Sequence, residues 1–263
     1  MLSNVFMPSS AAEAAGLLLD GGWLLGGGTV VMPRVNTGAV PVSRLICLNR
    51  AGLTGITVNG GTVSVGAATT LGAVGADDRL SFLRPVIRSI ASPPVRNLAT
   101  VGGNLFVAQP YGDLAVALLA LDARVEVVRA GGTRELPVGE PVDPAEVVSA
   151  VRFAVPAGAW RYRKAMRRKH NSAAIVTVAA AVTVEDGLVT DARIALGGVA
   201  PRPMRALAAE QALVGAPLDR SSVEAAAAAA HEGTAPFDDP YASAWYRARV
   251  LPVHVRRALL GEQ

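Results

Sequence analysis

Two short glycine-rich segments constrain this chain of 263 residues more than any other feature. The first is Gly26-Gly27-Gly28-Thr29, and the second is Thr100-Val101-Gly102-Gly103-Asn104, which Asp113 follows nine residues later. Glycine lets the backbone approach a ligand closely and expose its N–H groups, and the flanking hydroxyl and amide side chains add donors. Together the segments predict one extended, phosphate-bearing ligand that is held from two sides.

Neither segment matches a general nucleotide-binding pattern. The chain has no G-x-G-x-x-G fingerprint and no Gly-Lys-Ser/Thr of a Walker loop. Taken alone, each segment is equally well explained as a plain loop. Their joint occurrence favours a bound cofactor, because each ordered glycine costs ~0.5–1 kcal/mol relative to alanine.

Cysteine and histidine content excludes several kinds of site. Cys47 is the single cysteine, so the chain forms no disulfide and holds no iron–sulfur cluster of its own. It lies in an apolar run, which predicts a buried, inert thiol. The three histidines, His170, His231 and His254, show no ligand spacing. No serine lies in a G-x-S-x-G elbow. We therefore predict no metal site and no catalytic residue on this chain.

Charge and hydropathy set the expected environment. The formal net charge is +4, half of the residues are apolar, and no apolar run reaches the ~20 residues that a membrane helix needs. The N-terminal residues lack the basic region of a signal peptide, so we expect a cytoplasmic protein without a membrane span. Tyr162 is the one aromatic residue within the basic run 161–169, and nucleic-acid binding is therefore not predicted. The basic run is interpreted as a solvated strand or loop or, alternatively, as a functional cluster.

Periodicity divides the chain near residue 158. Before that point, short strands alternate with short helices, and Gly60-Gly61 marks a hairpin. After it, three apolar or alternating segments predict strands, and Asp186-Gly187 predicts the turn between the last two. Three helical patterns follow. Residues 159–263 are thus predicted to be an α+β domain with a three-stranded antiparallel sheet and helices.

Five ordered motifs carry a family resemblance over nearly the whole length. They are Leu25-Gly26-Gly27-Gly28-Thr29 (A-G-G-T), Ile46-Cys47-Leu48-Asn49-Arg50 through Gly55-Ile56 (D-L-N-R…L-x-G-I), Val65-Gly66-Ala67-Ala68-Thr69-Thr70 (I-G-A-x-T-T), Pro94-Val95-Arg96-Asn97 through Asn104 (P-x-I-R-N-x-x-T-V-G-G-N), and Tyr162, Lys164, Arg167 and Arg168 (Y-x-K-x-x-R-R). The chain resembles the FAD-binding medium subunits of molybdenum hydroxylases, the xanthine dehydrogenase and carbon monoxide dehydrogenase group.

The resemblance implies an oxidoreductase subunit with a defined architecture. Residues 1–158 would be a two-part FAD-binding domain of the vanillyl-alcohol-oxidase (PCMH) type, and residues 159–263 the C-terminal α+β domain of the carbon monoxide dehydrogenase flavoprotein type. FAD would receive electrons from [2Fe-2S] clusters on a small partner subunit and pass them to an external acceptor. A large molybdopterin-binding subunit would complete a heterotrimer, which could in turn be paired.

The resemblance also implies the residues that bind FAD. One group would wrap the pyrophosphate, namely Leu24, Leu25, Gly26, Gly27, Gly28, Thr29, Val30 and Val31. A second would bind it from the other side, namely Thr100, Val101, Gly102, Gly103 and Asn104. Asp113 would contact the cofactor, and Ile90 would pack near the adenine. Val148 and Lys164 would lie beside the isoalloxazine, where a cation stabilises negative charge on the reduced ring.

Two alternative functions stay open, and two departures from the family pattern motivate the second of them, the loss of FAD. Val30 stands where the family has an acidic or hydroxyl residue, and the region between Leu136 and Val147 is short. A free-standing FAD-dependent oxidase or reductase of the same fold, with its own substrate pocket, is one alternative. A binding module that has lost FAD is another.

Overall fold

The computed structural model describes residues 2–169 and 171–262, so His170 lies outside the described residues. The strands are β1 (Asn4–Phe6), β2 (Trp23–Leu25), β3 (Arg44–Cys47), β4 (Ile56–Asn59), β5 (Thr62–Gly66), β6 (Arg124–Arg129), β7 (Gly132–Pro137), β8 (Val147–Ala154), β9 (Ala159–Met166), β10 (Ala174–Glu185), β11 (Leu188–Gly197) and β12 (Met204–Arg205). The α-helices are α1 (Ala11–Leu18), α2 (Val31–Asn36), α3 (Leu71–Ala76), α4 (Arg84–Ser89), α5 (Pro93–Arg96), α6 (Val101–Leu105), α7 (Asp113–Ala120), α8 (Leu207–Leu213), α9 (Arg220–Ala229) and α10 (Ala244–Leu260). Within these described ranges, no helix has the length and apolarity needed to cross a bilayer.

The chain forms two compact units that are discontinuous in sequence. Unit 1 comprises Met1–Ile87, Ser92–Val107 and Ala123–Phe153. Unit 2 comprises Arg88–Ala91, Ala108–Asp122 and Ala154–Gln263. Helix α7, which begins at Asp113, therefore belongs to the same unit as the C-terminal sheet, although it precedes three strands of unit 1 in the sequence.

Unit 1 contains two sheets. Strands β1, β3 and β2 form a three-stranded parallel sheet in that order, and a second sheet has the order β4-β5-β8-β6-β7. Gly60 and Gly61 connect β4 to β5 with φ values of +55° and +80°, which residues with a side chain rarely adopt. The hairpin predicted at this glycine pair is thus confirmed.

Unit 2 is built on one antiparallel sheet with the order β12-β11-β10-β9. The prediction of three strands is wrong, because β12 adds a fourth by pairing Arg205 with Ala195 and Met204 with Leu196. A strand of two residues next to Pro203 has too few positions to show alternation, and only its pairing with a distant strand defines it. The turn predicted at Asp186-Gly187 is confirmed, with both residues at positive φ.

The pleat of the edge strand β9 sends successive side chains to opposite faces of this sheet. Ala165 packs with the core beneath α8, α9 and α10, whereas Trp160 and Tyr162 pack with Val116 of α7. Arg163, on the same face as Ala165, donates to the carbonyl of Glu262 at 2.5 Å. The basic run is therefore divided between two faces, and Lys164 lies on the α7 face.

Candidate functional site

The two glycine-rich segments contact each other within unit 1. A Cβ atom built on Gly27 would lie 1.6 Å from the carbonyl oxygen of Leu98, and one on Gly26 would lie 2.6 Å from Thr100 Oγ1. Both distances are far below van der Waals contact, so only glycine allows this backbone approach. These two glycines are needed first for the contact between the segments, a reason that the sequence interpretation did not give.

The second segment is the start of a helix and not a loop. Thr100 is the N-cap of α6, with extended backbone and a hydroxyl that accepts from the backbone. The amides of the first turn all have acceptors: Val101 N donates to Thr69 O (2.9 Å), Gly102 N to Ala67 O (2.8 Å), Gly103 N to Thr100 Oγ1 (3.1 Å) and Asn104 N to Thr100 O (3.0 Å). The expectation of exposed N–H groups is therefore wrong for this segment.

The first segment has the free donors. Across residues 2–169 and 171–262, no protein acceptor binds the N–H groups of Gly27, Gly28, Thr29 or Val30. Gly28 has φ +70°, and its carbonyl accepts from Met32 N at 3.0 Å as α2 begins. Consecutive N–H groups in such a turn form a concavity that binds anionic oxygen. Residues 27–30 therefore present the backbone donors that an anion-binding turn requires.

Ala67 links three parts of unit 1 behind this site. Its N–H donates to the carbonyl of Ser149 at 2.8 Å, and its own carbonyl accepts from Gly102. A Cβ on Gly102 would lie 3.0 Å from the Ala67 Cβ, which leaves no room for a larger residue. Val148, predicted to lie beside the flavin, precedes Ser149 on β8 and is 5% exposed. The segment Gly66–Thr70 therefore supports the site, although the sequence analysis assigned it no site residue.

We expect Thr100→Val to destabilise unit 1 by about 1 kcal/mol, because valine keeps the shape of threonine but removes the N-cap acceptor. Urea unfolding followed by circular dichroism would measure this loss. Thr37→Val is the control, since that hydroxyl caps the exposed C-terminal end of α2 and its removal should cost less. Equal destabilisation by the two changes would contradict the assigned role of Thr100.

Unit 2 contains a buried ion pair that the sequence did not predict. Lys164 Nζ lies 2.8 Å from Asp113 Oδ2, and the two side chains are 4% and 5% exposed. Lys164 also donates to the carbonyl of Ser89 at 3.0 Å, and Thr177 Oγ1 donates to Asp113 Oδ1 at 2.8 Å. Lys164 and Thr177 are cross-strand neighbours on β9 and β10. The sheet therefore presents both partners to the first residue of α7.

Tyr162 lies beside this pair on the same face of β9. Its hydroxyl is 2.8 Å from Ser89 Oγ, and its pKa is raised well above the ordinary value, first by burial and then by the negative charge of Asp113. The phenol is therefore neutral at physiological pH and can serve as a hydrogen-bond donor. Asp113 thus contacts Lys164 and Thr177, while Ser89 binds Lys164 through its carbonyl and Tyr162 through its hydroxyl.

The predicted site residues are thus distributed over both units. Unit 1 holds Leu24 through Val31, Thr100 through Asn104 and Val148, and it brings the first two groups into contact. Unit 2 holds Ile90, Asp113 and Lys164, and it joins the last two directly. Ile90 is buried, next in sequence to Ser89. Sequence reasoning missed Leu98, Ser89 and Thr177, for which no local pattern gave a signal.

Comparison with known proteins gives a consistent result across the chain. Residues 2–150 match the family described as FAD binding domain in molybdopterin dehydrogenase, and residues 160–261 match the CO dehydrogenase flavoprotein C-terminal domain. The carbon monoxide dehydrogenase medium chain of Afipia carboxidovorans is 32% identical, over 96% of this chain and 93% of that protein. A putative xanthine dehydrogenase FAD-binding subunit of Escherichia coli K12 is 30% identical, over 95% and 92%.

A solved structure has the same fold over almost the full length. Carbon monoxide dehydrogenase from Hydrogenophaga pseudoflava contains a chain with a TM-score of 0.93 and 30% sequence identity, covering 99% of this chain and 96% of that one. Fold and sequence similarity therefore extend together over both units.

Proposed function

The chain belongs to the FAD-binding medium subunits of molybdenum hydroxylases, and we propose that the free amides of residues 27–30 bind the pyrophosphate of its FAD. The protein is an FAD-dependent oxidoreductase subunit. The observation that carries the site assignment is a run of four N–H groups that have no acceptor among the residues the structure describes. A diphosphate supplies the negatively charged oxygens that such a run lacks.

The residues present fit this cofactor. Gly27 and Gly28 have no side chain that would cover the amides, and the Gly28 backbone has the left-handed conformation that turns the N–H groups together. Thr29 adds a hydroxyl donor. The segment that leads into α6 would then hold the turn through Leu98 and Thr100, since the first-turn amides of α6 are occupied. When bound, FAD supplies the capacity to take up and release electrons.

In unit 2, we still propose Asp113 and Lys164 as cofactor contacts, as the family resemblance implies. Their ion pair changes the charge that Lys164 can present to the cofactor. With Asp113 at 2.8 Å, the cation is offset by a carboxylate, so the pair as a whole is neutral and acts as a dipole with fixed direction. We propose that this pair orients hydrogen bonds toward the cofactor, and that Thr177 and Ser89 hold its two ends.

We propose that the chain works in a complex with two partner subunits. Its single cysteine cannot hold a [2Fe-2S] cluster, which needs four ligands, so the clusters belong to a small partner subunit. A large subunit would carry molybdopterin and select the substrate. We further propose a cytoplasmic location and an FAD domain of the vanillyl-alcohol-oxidase type. We place the domain boundary at residue 158, and the matched ranges 2–150 and 160–261 support it.

Reconstitution with FAD tests the cofactor assignment. The purified chain should show flavin absorption bands, or gain them on titration with FAD, with a dissociation constant in the micromolar range or tighter. A chain that folds but binds no FAD would contradict the proposal and favour a binding module that has lost its cofactor.

Co-expression with the neighbouring genes separates an electron-transfer subunit from a free-standing enzyme. We expect a stable complex that contains molybdenum and iron in addition to FAD. Reduction of the flavin by a substrate in the isolated chain would instead support the oxidase or reductase of the same fold.

A further inference from the structure

A closed circuit of hydrogen bonds in unit 2 fixes the short connection that leads into α7. Arg247 Nη1 donates to Gly198 O (3.0 Å), Gly198 N donates to Gln109 Oε1 (2.6 Å), and Gln109 Nε2 donates to Tyr111 O (2.8 Å). The hydroxyls of Tyr111 and Tyr241 are 2.7 Å apart. Tyr241 N donates to Asp239 Oδ1 (2.8 Å), and Arg247 Nη2 closes the circuit by donating to Asp239 Oδ2 (2.6 Å). Six residues from four separate parts of the sequence take part. None of them belongs to the family motifs found in the sequence.

Arg247 anchors the circuit in the core of the unit. Its side chain is fully buried, it donates to the carbonyls of Ala174 and Ile175 as well as Gly198, and it stacks on the ring of Phe237 at 4.7 Å. Burial alone would raise the pKa of Asp239, but the amides of Ala242 and Tyr241 and the Arg247 guanidinium together lower it. The anchor is therefore an ionised, hydrogen-bonded pair at neutral pH.

The other side of the circuit holds residues 109–111. Gln109 connects the backbone of Gly198 to the backbone of Tyr111, and the Tyr111 ring meets the Tyr241 ring edge to face at 6.2 Å. Tyr111 is 46% exposed, so apolar packing alone does not fix it. The hydroxyl contact with Tyr241 therefore helps to fix the position of the Tyr111 side chain.

Helix α7 needs such a constraint at its N-terminus. Its N-cap is Gly112, which has φ +80° and no side chain to accept from the first turn. Asp113 is the next residue, and its carboxylate must meet both Lys164 and Thr177. A shift of the connection would therefore move the carboxylate directly.

We propose that Gln109, Tyr111, Tyr241 and Arg247 are positioning residues, which hold Asp113 in the place where it contacts FAD. This inference rests on the proposed function, because it takes Asp113 as a cofactor contact. The circuit acts on the backbone before α7, and the ion pair with Lys164 acts on the side chain. Together they fix the backbone and the side chain of Asp113.

Tyr241→Phe tests the circuit by removing one hydroxyl and nothing else. We expect FAD to bind about fivefold more weakly, the factor that corresponds to one lost neutral hydrogen bond. The hydrogen bond to Tyr241, followed by burial, raises the pKa of Tyr111 to about 12. Ultraviolet titration should show a lower Tyr111 pKa in the variant, although burial and the charge of Asp239 still raise it. A Tyr111 pKa that does not move would overturn the circuit.

Ser222→Ala is the matched control, because it weakens the capping box of α9 in the same unit without touching residues 109–113. Its FAD affinity should equal that of the wild type. Equal weakening in the two variants, or none in Tyr241→Phe, would overturn the inference while leaving FAD binding intact. A wild-type chain that binds no FAD would instead remove the proposed function, and the inference with it.

Discussion

Gly27→Ala is expected to abolish FAD binding and to destabilise unit 1 by about 3 kcal/mol, the upper range for overpacking. The added Cβ would lie 1.6 Å from the carbonyl oxygen of Leu98 and 2.4 Å from its carbonyl carbon. Backbone atoms cannot rotate away as a side chain can, so the turn must leave the segment before α6. The four free amides that follow Gly26 would then lose their arrangement.

Two measurements separate the effects of this change. Titration with FAD reports the site, and urea unfolding followed by circular dichroism reports the fold. Gly16→Ala is the control: it lies within α1 of the same unit, and an added Cβ there meets nothing within 4 Å. It should keep full FAD affinity and gain a little stability, because alanine is the better helix former. Normal FAD affinity in Gly27→Ala would contradict the assignment of this turn.

Lys164→Met should destabilise unit 2 by about 3–5 kcal/mol, because it leaves the carboxylate of Asp113 charged, buried and without its partner. The Asp113 side chain is only 5% exposed, and the hydroxyl of Thr177 still donates to it in the variant. Methionine keeps most of the volume of lysine, so the loss reports charge and not packing. Unfolding in urea, monitored by a probe in unit 2, would measure it.

The double variant Lys164→Met with Asp113→Asn should recover most of this stability, since no unpaired charge stays buried. Arg124→Met is the exposed comparison. Arg124 lies 3.5 Å from Glu135, and both side chains are more than 40% exposed, so its removal should cost less than about 1 kcal/mol. If Lys164→Met were as mild as Arg124→Met, the buried pair would not contribute as we infer.

Local sequence patterns were sufficient to predict turns and helix ends, which depend on a few neighbouring residues. Gly60-Gly61 and Asp186-Gly187 connect hairpins because two consecutive residues take positive φ, a requirement that the sequence shows directly. Helix α10 begins after Ser243, a side-chain N-cap, and ends at Gly261 with φ +68°. These signals lie within a few neighbouring residues, so no tertiary contact is needed to read them.

Local sequence patterns did not predict features that depend on a partner far away in the sequence. Strand β12 exists because Met204 and Arg205 pair with β11, and two residues have no periodicity of their own. The amides of α6 looked available in the sequence, yet Thr69 and Ala67 accept from two of them. The glycine pair at 102–103 therefore contributes packing, while the free donors lie some seventy residues earlier in the chain.

By itself, the sequence determined the family, the FAD cofactor and the two glycine-rich segments, because ordered motifs record which residue types the site requires. The tertiary structure alone decided how those residues are used. It set Gly26 and Gly27 against Leu98 and Thr100, and it brought Lys164 to Asp113 across 51 residues of sequence. The reason is physical: steric approach and charge pairing depend on distance in space, which the order of residues does not contain.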